Sequence, residues 1–124
     1  MTGPELVERA ASVAANAYAP YSNYRVGASV LTRDGRLFDG VNVENAAYPL
    51  GVCAEKSAIV AAATAGVRPG EIAAIGITAS PCGGCRQWLH EWRFDRVWFR
   101  RADGSIAEYA ADELLPDTWD LPEG

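Results

Sequence analysis

Apolar residues fall at Leu6, Ala10, Val13, Ala14 and Ala17 near the start of the chain, a helical spacing that predicts an amphipathic first helix. Thr2 can cap it, Glu5 stands at the capping-box position, and Ala19-Pro20 ends the pattern. Over residues 24–32 the period changes to two, with Tyr24, Val26, Ala28 and Val30 on one face. Asp34-Gly35 then supplies a tight turn and residues 37–43 return, so this stretch reads as an antiparallel hairpin. After a loop over 44–52, the alanine-rich run 53–65, with Ile59 and Val60, reads as a helix closed by Gly66. Arg68-Pro69-Gly70 turns the chain into 72–79, an almost unbroken apolar run of the kind a central strand buried on both faces requires. Ser80-Pro81 suits the cap and first turn of a helix running through Trp92. Residues 96–101 and 106–109 read as strands around Asp103-Gly104, and 112–115 as a short last helix.

The resulting order, αββαβαββα, puts one strand between two helices with a hairpin on either side. It predicts an α/β fold: a three-layer α/β/α sandwich around a mixed five-stranded sheet. Only residues 102–105 separate the last two strands, whereas a parallel crossover needs about ten or more residues, so these two are expected to be antiparallel. At 124 residues the chain holds one core, and a single domain over 1–124 is expected.

Composition and charge exclude several partners. Hydrophobic residues at 49% and charged residues at 22% are ordinary for a soluble globular chain. The net charge of -5, with basic residues scattered apart from Arg100-Arg101, offers nothing to a polyanion, so no nucleic acid is expected. Residues 1–9 carry Glu5, Glu8 and Arg9 and no apolar signal core, and no later run reaches the length of a membrane span. No membrane partner is expected.

The chemistry concentrates in three cysteines, Cys53, Cys82 and Cys85. A disulfide set would leave one thiol over, whereas a catalytic zinc site uses three protein ligands and keeps a fourth position open. Cys82 and Cys85 are three apart on a first helical turn, share a face, and can both reach one ion at about 2.3 Å. Cys53 comes from elsewhere in the chain. Both segments open helices, whose partial positive charge favours the thiolate a metal needs. Glu55, two residues from Cys53, lies on a different side of an ideal helix, where it is badly placed to ligate the same ion but can approach the fourth ligand. Other readings stay open on residues alone. A structural zinc site lacks a fourth cysteine, with His90, five residues past Cys85, the remaining candidate. Cys-Gly-Gly-Cys between a strand and a helix also matches a dithiol redox motif. Free thiols point to the cytoplasm.

The layout Cys53-Ala54-Glu55 followed by Pro81-Cys82-Gly83-Gly84-Cys85 resembles the signature of zinc-dependent deaminases. The stretches Tyr21-Ser22-Asn23-Tyr24-Arg25-Val26-Gly27-Ala28, Gly40-Val41-Asn42-Val43-Glu44-Asn45-Ala46-Ala47-Tyr48, Cys85-Arg86-Gln87 and Glu113-Leu114-Leu115-Pro116 extend the match from about Tyr18 to Trp119. Together they are similar to the short, homotetrameric cytidine deaminases. That resemblance implies one Zn2+ per chain on Cys53, Cys82 and Cys85, and a free cytidine or 2'-deoxycytidine substrate converted to uridine or 2'-deoxyuridine and ammonia in pyrimidine salvage. It implies Glu55 as the proton carrier, Asn42 and Glu44 on the ribose hydroxyls, the Ala54 backbone on the base edge, and Tyr24 in the base pocket. It also implies Tyr48 reaching a neighbouring subunit's site, Trp119 as the C-terminal site aromatic, and Lys56 compensating charge at the metal. The sequence departs from the family where Tyr24 and Trp119 stand for Phe, Lys56 for Arg, and Pro49 for a smaller residue. A deaminase of another small aminated pyrimidine, such as blasticidin S, shares Cys-Ala-Glu and Pro-Cys-Gly-x-Cys. The Asn42-Val43-Glu44-Asn45-Ala46 stretch favours the nucleoside.

Overall fold

The computed structural model describes residues 1–120. Helix α1 (Gly3–Ala14) starts under the predicted capping box, the Thr2 Oγ1 accepting from Glu5 N at 3.2 Å while Glu5 accepts from Thr2 N at 3.0 Å. Strands β1 (Gly27–Thr32) and β2 (Leu37–Val41) form the expected hairpin, with Gly35 at φ 90° in its turn. A short 3-10 turn (Tyr48–Leu50) precedes α2 (Ala54–Thr64). At the end of α2, Gly66 at φ 95° sits where Gly66 N bonds Ala63 O and Val67 N bonds Ala62 O, a Schellman closure. There follow β3 (Ile72–Ile77), α3 (Gly83–Glu91), β4 (Arg96–Arg100), β5 (Ile106–Tyr109) and α4 (Ala111–Leu114).

The five strands lie in the order β2-β1-β3-β4-β5. Every pairing is antiparallel except β3 with β4, which run parallel through the α3 crossover. The mixed sheet with antiparallel last strands is therefore as expected. Helix α1 covers one face, and α2 with α3 the other. Close approach is made possible by missing side chains. A Cβ on Gly27 would lie 2.0 Å from Ala10 O, and one on Gly76 2.6 Å from Leu6 C, so α1 rests directly on β1 and β3. On the opposite face a Cβ on Gly40 would lie 2.2 Å from Ala58 N and 2.6 Å from Ala54 O. The first turn of α2 is thereby held against the sheet, and with it the two residues that follow Cys53. Ile59, Ile72, Ile75, Ile77, Leu89 and Val97 fill the core between the layers. Among the described residues no helix is long and apolar enough to cross a membrane.

Strands β2 and β3 end two residues earlier than the sequence pattern, at Val41 and Ile77, and α1 ends at Ala14; two starting boundaries also differ, each for a physical reason. Strand β1 begins at Gly27 rather than Tyr24, because the Asn42 side chain takes the hydrogen bonds a ladder would use. Its Oδ1 accepts from Val26 N and its Nδ2 donates to Tyr24 O, both at 2.8 Å, and Asn23 sits at φ 61°. Helix α3 begins at Gly83 rather than Pro81, since Cys82 is its cap and the Cys82 sulfur accepts from Cys85 N at 3.5 Å.

Candidate active site

Cys53 has extended backbone (φ -74°, ψ 156°) and its carbonyl accepts the first bond of α2, from Ser57 N. Cys82 occupies the same capping position on α3, with Cys85 inside the first turn. Both helices start at the same end of the sheet, α2 following the β2 edge and α3 following β3. The three Sγ atoms consequently lie within 4.8 Å of one another, near enough for a small inward movement to bring all three onto one ion at about 2.3 Å each. All three are free thiols, Cys85 buried, Cys53 half-buried and Cys82 exposed. Burial pushes the Cys53 and Cys85 thiols up. At Cys82 burial acts in the same sense, yet the backbone N–H and side chain of Cys85 and the N–H of Gly84 outweigh it and hold this thiol down. Three sulfurs this close cannot all be thiolates without a cation among them. The donor set, its exposed side at Cys82 and the two helix ends fit one zinc per chain with an open position.

Glu55 is 4% exposed. Burial raises its carboxyl above the usual range, partly offset by the Cys85 thiol and the Lys56 charge. It lines a cavity of about 230 Å3 together with Cys53, Ala54, Cys82, Tyr24, Val26, Asn42, Ala79 and Ser80. Of the residues expected at a site, Ala54, Glu55, Tyr24, Asn42 and the cysteine cluster are thus brought together. Glu44 and Tyr48 line a second cavity, of about 360 Å3, with Tyr21, Ser22, Asn45 and Gly51. Trp119 lines neither cavity and is 70% exposed; Tyr48 is 74% exposed and meets Tyr21 edge-on at 6.0 Å.

Asn42 and Glu44 do more local work than their sequence suggests. Glu44 Oε1 accepts from Tyr21 N at 2.9 Å and Ser22 N at 3.1 Å, while Oε2 accepts from the Ser22 hydroxyl. Those bonds, led by the Ser22 side chain, hold its carboxyl below the usual range. Ser22 Oγ in turn accepts from Tyr24 N at 3.0 Å. The loop carrying Tyr24 is accordingly clamped at two points, Asn42 and Glu44, by the segment that follows β2. Ser22 had no role in the sequence reading beyond its place in a matching stretch, since only folding brings it onto Glu44. Arg86 is a second such residue: it donates to Pro81 O at 2.9 Å, Leu114 O at 3.1 Å and Ser80 Oγ at 3.4 Å, tying the cysteine loop to the end of α4. His90 bonds Asp112, Asp120 and Thr118 and stands outside the sulfur cluster.

A mixed α/β/α sandwich with three cysteines at two helix starts and a buried glutamate beside them defines a metal-dependent hydrolytic centre. The chain belongs to the cytidine and deoxycytidylate deaminase family, whose zinc-binding-region model matches residues 2–101. A cytidine deaminase from Halalkalibacterium halodurans is 38% identical over 119 residues, 90% of this chain and 89% of that protein. One from Mycobacterium tuberculosis is 38% identical over 118 residues, 92% of this chain and 86% of the relative. The crystal structure of cytidine deaminase from Burkholderia pseudomallei superimposes with a TM-score of 0.89 at 43% identity, covering 96% of this chain and all of that one.

Proposed function

We propose that this protein is a zinc-dependent deaminase of free cytidine and 2'-deoxycytidine, releasing uridine or 2'-deoxyuridine and ammonia. The observation that carries the reading is that Cys53, Cys82 and the buried Glu55 line one small cavity, with the Cys85 sulfur within 4.8 Å of the other two sulfurs behind it. Cys53, Cys82 and Cys85 would hold the zinc ion, which would supply the Lewis acidity that activates water near neutral pH. Glu55 takes one proton of the attacking water and delivers it to N3, then takes the second proton from the same oxygen and delivers it to the amine, which departs as ammonia while the oxygen remains as the C4 carbonyl. Its raised proton affinity suits a group that must act in turn as base and acid. Tyr24 and the Ala54 backbone hold the base in the 230 Å3 cavity. Asn42 retains one Nδ2–H, and Glu44 has three of its roughly four acceptor sites filled by the loop, so each has about one bond left for a ribose hydroxyl. A net charge of -5 and an acidic residue at the sugar end oppose phosphate and polynucleotide. The deciding experiment is loss of cytidine ultraviolet absorbance with zinc measured on the same sample. A zinc-replete protein that leaves cytidine untouched, or prefers blasticidin S, overturns the assignment.

Lys56 is assigned to charge compensation. Its charge lowers the proton affinity of both Cys53 and Glu55, so removing it raises that of Glu55. Lys56→Gln is expected to keep its zinc, lose turnover, and shift the acid limb of its pH-rate profile upward, because the base form of Glu55 then appears at higher pH. An unchanged profile makes the lysine a solvated bystander.

The functional unit we assign is a homotetramer with sites shared between copies. Tyr48 and Trp119 are large and exposed, and Val60, Ala63, Trp88 and Trp92 line an open groove between α2 and α3. Light scattering is expected to give about four times the 13.3 kDa chain mass. A fully active monomer removes the shared site. Three free thiols fit a reducing compartment, and we place the protein in the cytoplasm, in pyrimidine salvage.

A further inference from the structure

His90 closes the last turn of α3, far from the sulfur cluster at the helix start, and three side chains converge on its ring. Nδ1 lies 3.1 Å from Asp112 Oδ1 in the first turn of α4. Nε2 lies 2.9 Å from Asp120 Oδ1 and 3.0 Å from Thr118 Oγ1, both in the segment beyond α4. The imidazole is 16% exposed, while both carboxylates reach it from the surface. Just upstream, Asp117 sits at φ 51°, a left-handed backbone that turns the chain sharply before the residues that meet the ring. Trp119 lies between Thr118 and Asp120 and lines neither cavity of its own chain.

We propose that His90 is a positioning residue for the site: by pairing with Asp112 and Asp120 at once it fixes the path of residues 116–120, and so the place at which Trp119 is offered to a neighbouring copy's cavity. This rests on the reading that Trp119 completes a shared site. Only the imidazolium has two N–H donors and satisfies both carboxylates together. The neutral ring donates from one nitrogen and turns a lone pair toward the other acid or toward the Thr118 hydroxyl. The other charged groups on the two helices bond neither ring nitrogen. On α3, Arg86 bonds Pro81 O and Leu114 O, and Glu91 borders the groove toward α2. On α4, Glu113 bonds Ala110 N. Asp120 first, and Asp112 after the opposing effect of burial, raise His90 above its ordinary value. A raised value means the pairing is complete below the ordinary histidine pKa and is lost as pH rises through the folded-state value. The segment is therefore held most firmly on the acid side.

The test is hydrogen exchange of the peptide spanning residues 115–120, corrected for intrinsic rates, from about pH 5.5 to about pH 8.5 in the intact assembly. KM and kcat for cytidine are measured over the same range. In the natural protein, protection of this peptide falls as pH rises, and KM rises with it while kcat stays level. His90→Gln, which can serve only one carboxylate and never carries charge, loses protection by about tenfold at the acid end, raises KM there, and abolishes the pH dependence of both. Asp120→Asn, which leaves the ring and Asp112 in place, also flattens the pH dependence. A histidine with a merely structural part would lower the melting temperature and leave the KM profile where it is. Equal exchange in His90→Gln and the natural protein overturns the proposal, as does altered exchange with an unmoved KM. Failure of the natural protein to deaminate cytidine would instead count against the proposed function, and the exchange measurement would still read the anchor.

Discussion

Glu55→Gln is expected to keep its fold, its zinc and its affinity for cytidine, and to lose about 10²–10⁴-fold in kcat, the contribution a positioned proton carrier makes. The upper end applies here because the same carboxylate moves two protons in turn, one to N3 and one to the departing amine. A glutamine fills the same volume at a position only 4% exposed, so no cavity opens. It also removes a carboxylate that burial disfavours in its charged form, so the variant should melt no lower than the natural protein. Steady-state rates, zinc analysis and a melting curve on one preparation test all three statements. A rate near that of the natural protein would sink Glu55 as the proton carrier.

Cys85→Ala is expected to abolish zinc binding and activity together. Cys85 is fully buried in the first turn of α3, within 4.8 Å of the other two sulfurs, and two remaining thiols fall one short of the three protein ligands a catalytic zinc needs. In the natural protein, zinc at a thousandfold excess over its dissociation constant adds about 4 kcal/mol to stability, and this increment should vanish in the variant. Binding should also weaken steeply as pH falls. Cys53 and Cys85 are both pushed up by burial, so their protons must be displaced when a metal enters. Elemental analysis and melting with and without added zinc provide the check. One zinc per chain in Cys85→Ala would show that the ligand set is assigned wrongly.

Much of the scaffold was legible because its signals are local. The capping box at Thr2, the glycine turns at Asp34-Gly35 and Asp103-Gly104, and the closing Gly66 act within a few residues, and each appears in the structure where the pattern put it. The central strand was readable from its apolar run alone. The errors arise where a side chain replaces a backbone partner. Asn42 completes the bonds of Val26 and Tyr24 and so shortens β1, and a cysteine sulfur caps α3 where Ser80-Pro81 looked the better choice. Sulfur is not among the preferred capping groups, so propensity points past it. The spacing of Cys82 and Cys85 suggested a shared ion. That Cys53 arrives from α2 to join them depends on Gly40 letting that helix touch the sheet, which no local pattern reports. The loop clamp by Glu44 and Ser22 is likewise a product of contacts more than twenty residues apart in sequence.

The placement of β3 fixes when the metal centre can come into being. The β1–β2 and β4–β5 hairpins close over short turns and can form early, on the microsecond scale. Strand β3 must then dock between them, meeting β1 across some fifty residues of chain and β4 through a crossover helix, and such non-local closures are the slow part of folding. Cys53 precedes β3 by one helix and Cys82 follows it, so the sulfurs meet only after that strand is seated. Zinc is therefore expected to arrive at a chain already folded, leaving the refolding rate unchanged and slowing only unfolding, as a contact absent from the transition state does. Stopped-flow refolding with and without zinc reads this directly, and a refolding rate that climbs with zinc would place the metal in the nucleus instead. The metal then acts as a late fastener that lengthens the native lifetime, and a supply of apo-protein waiting for zinc is already built to its final shape.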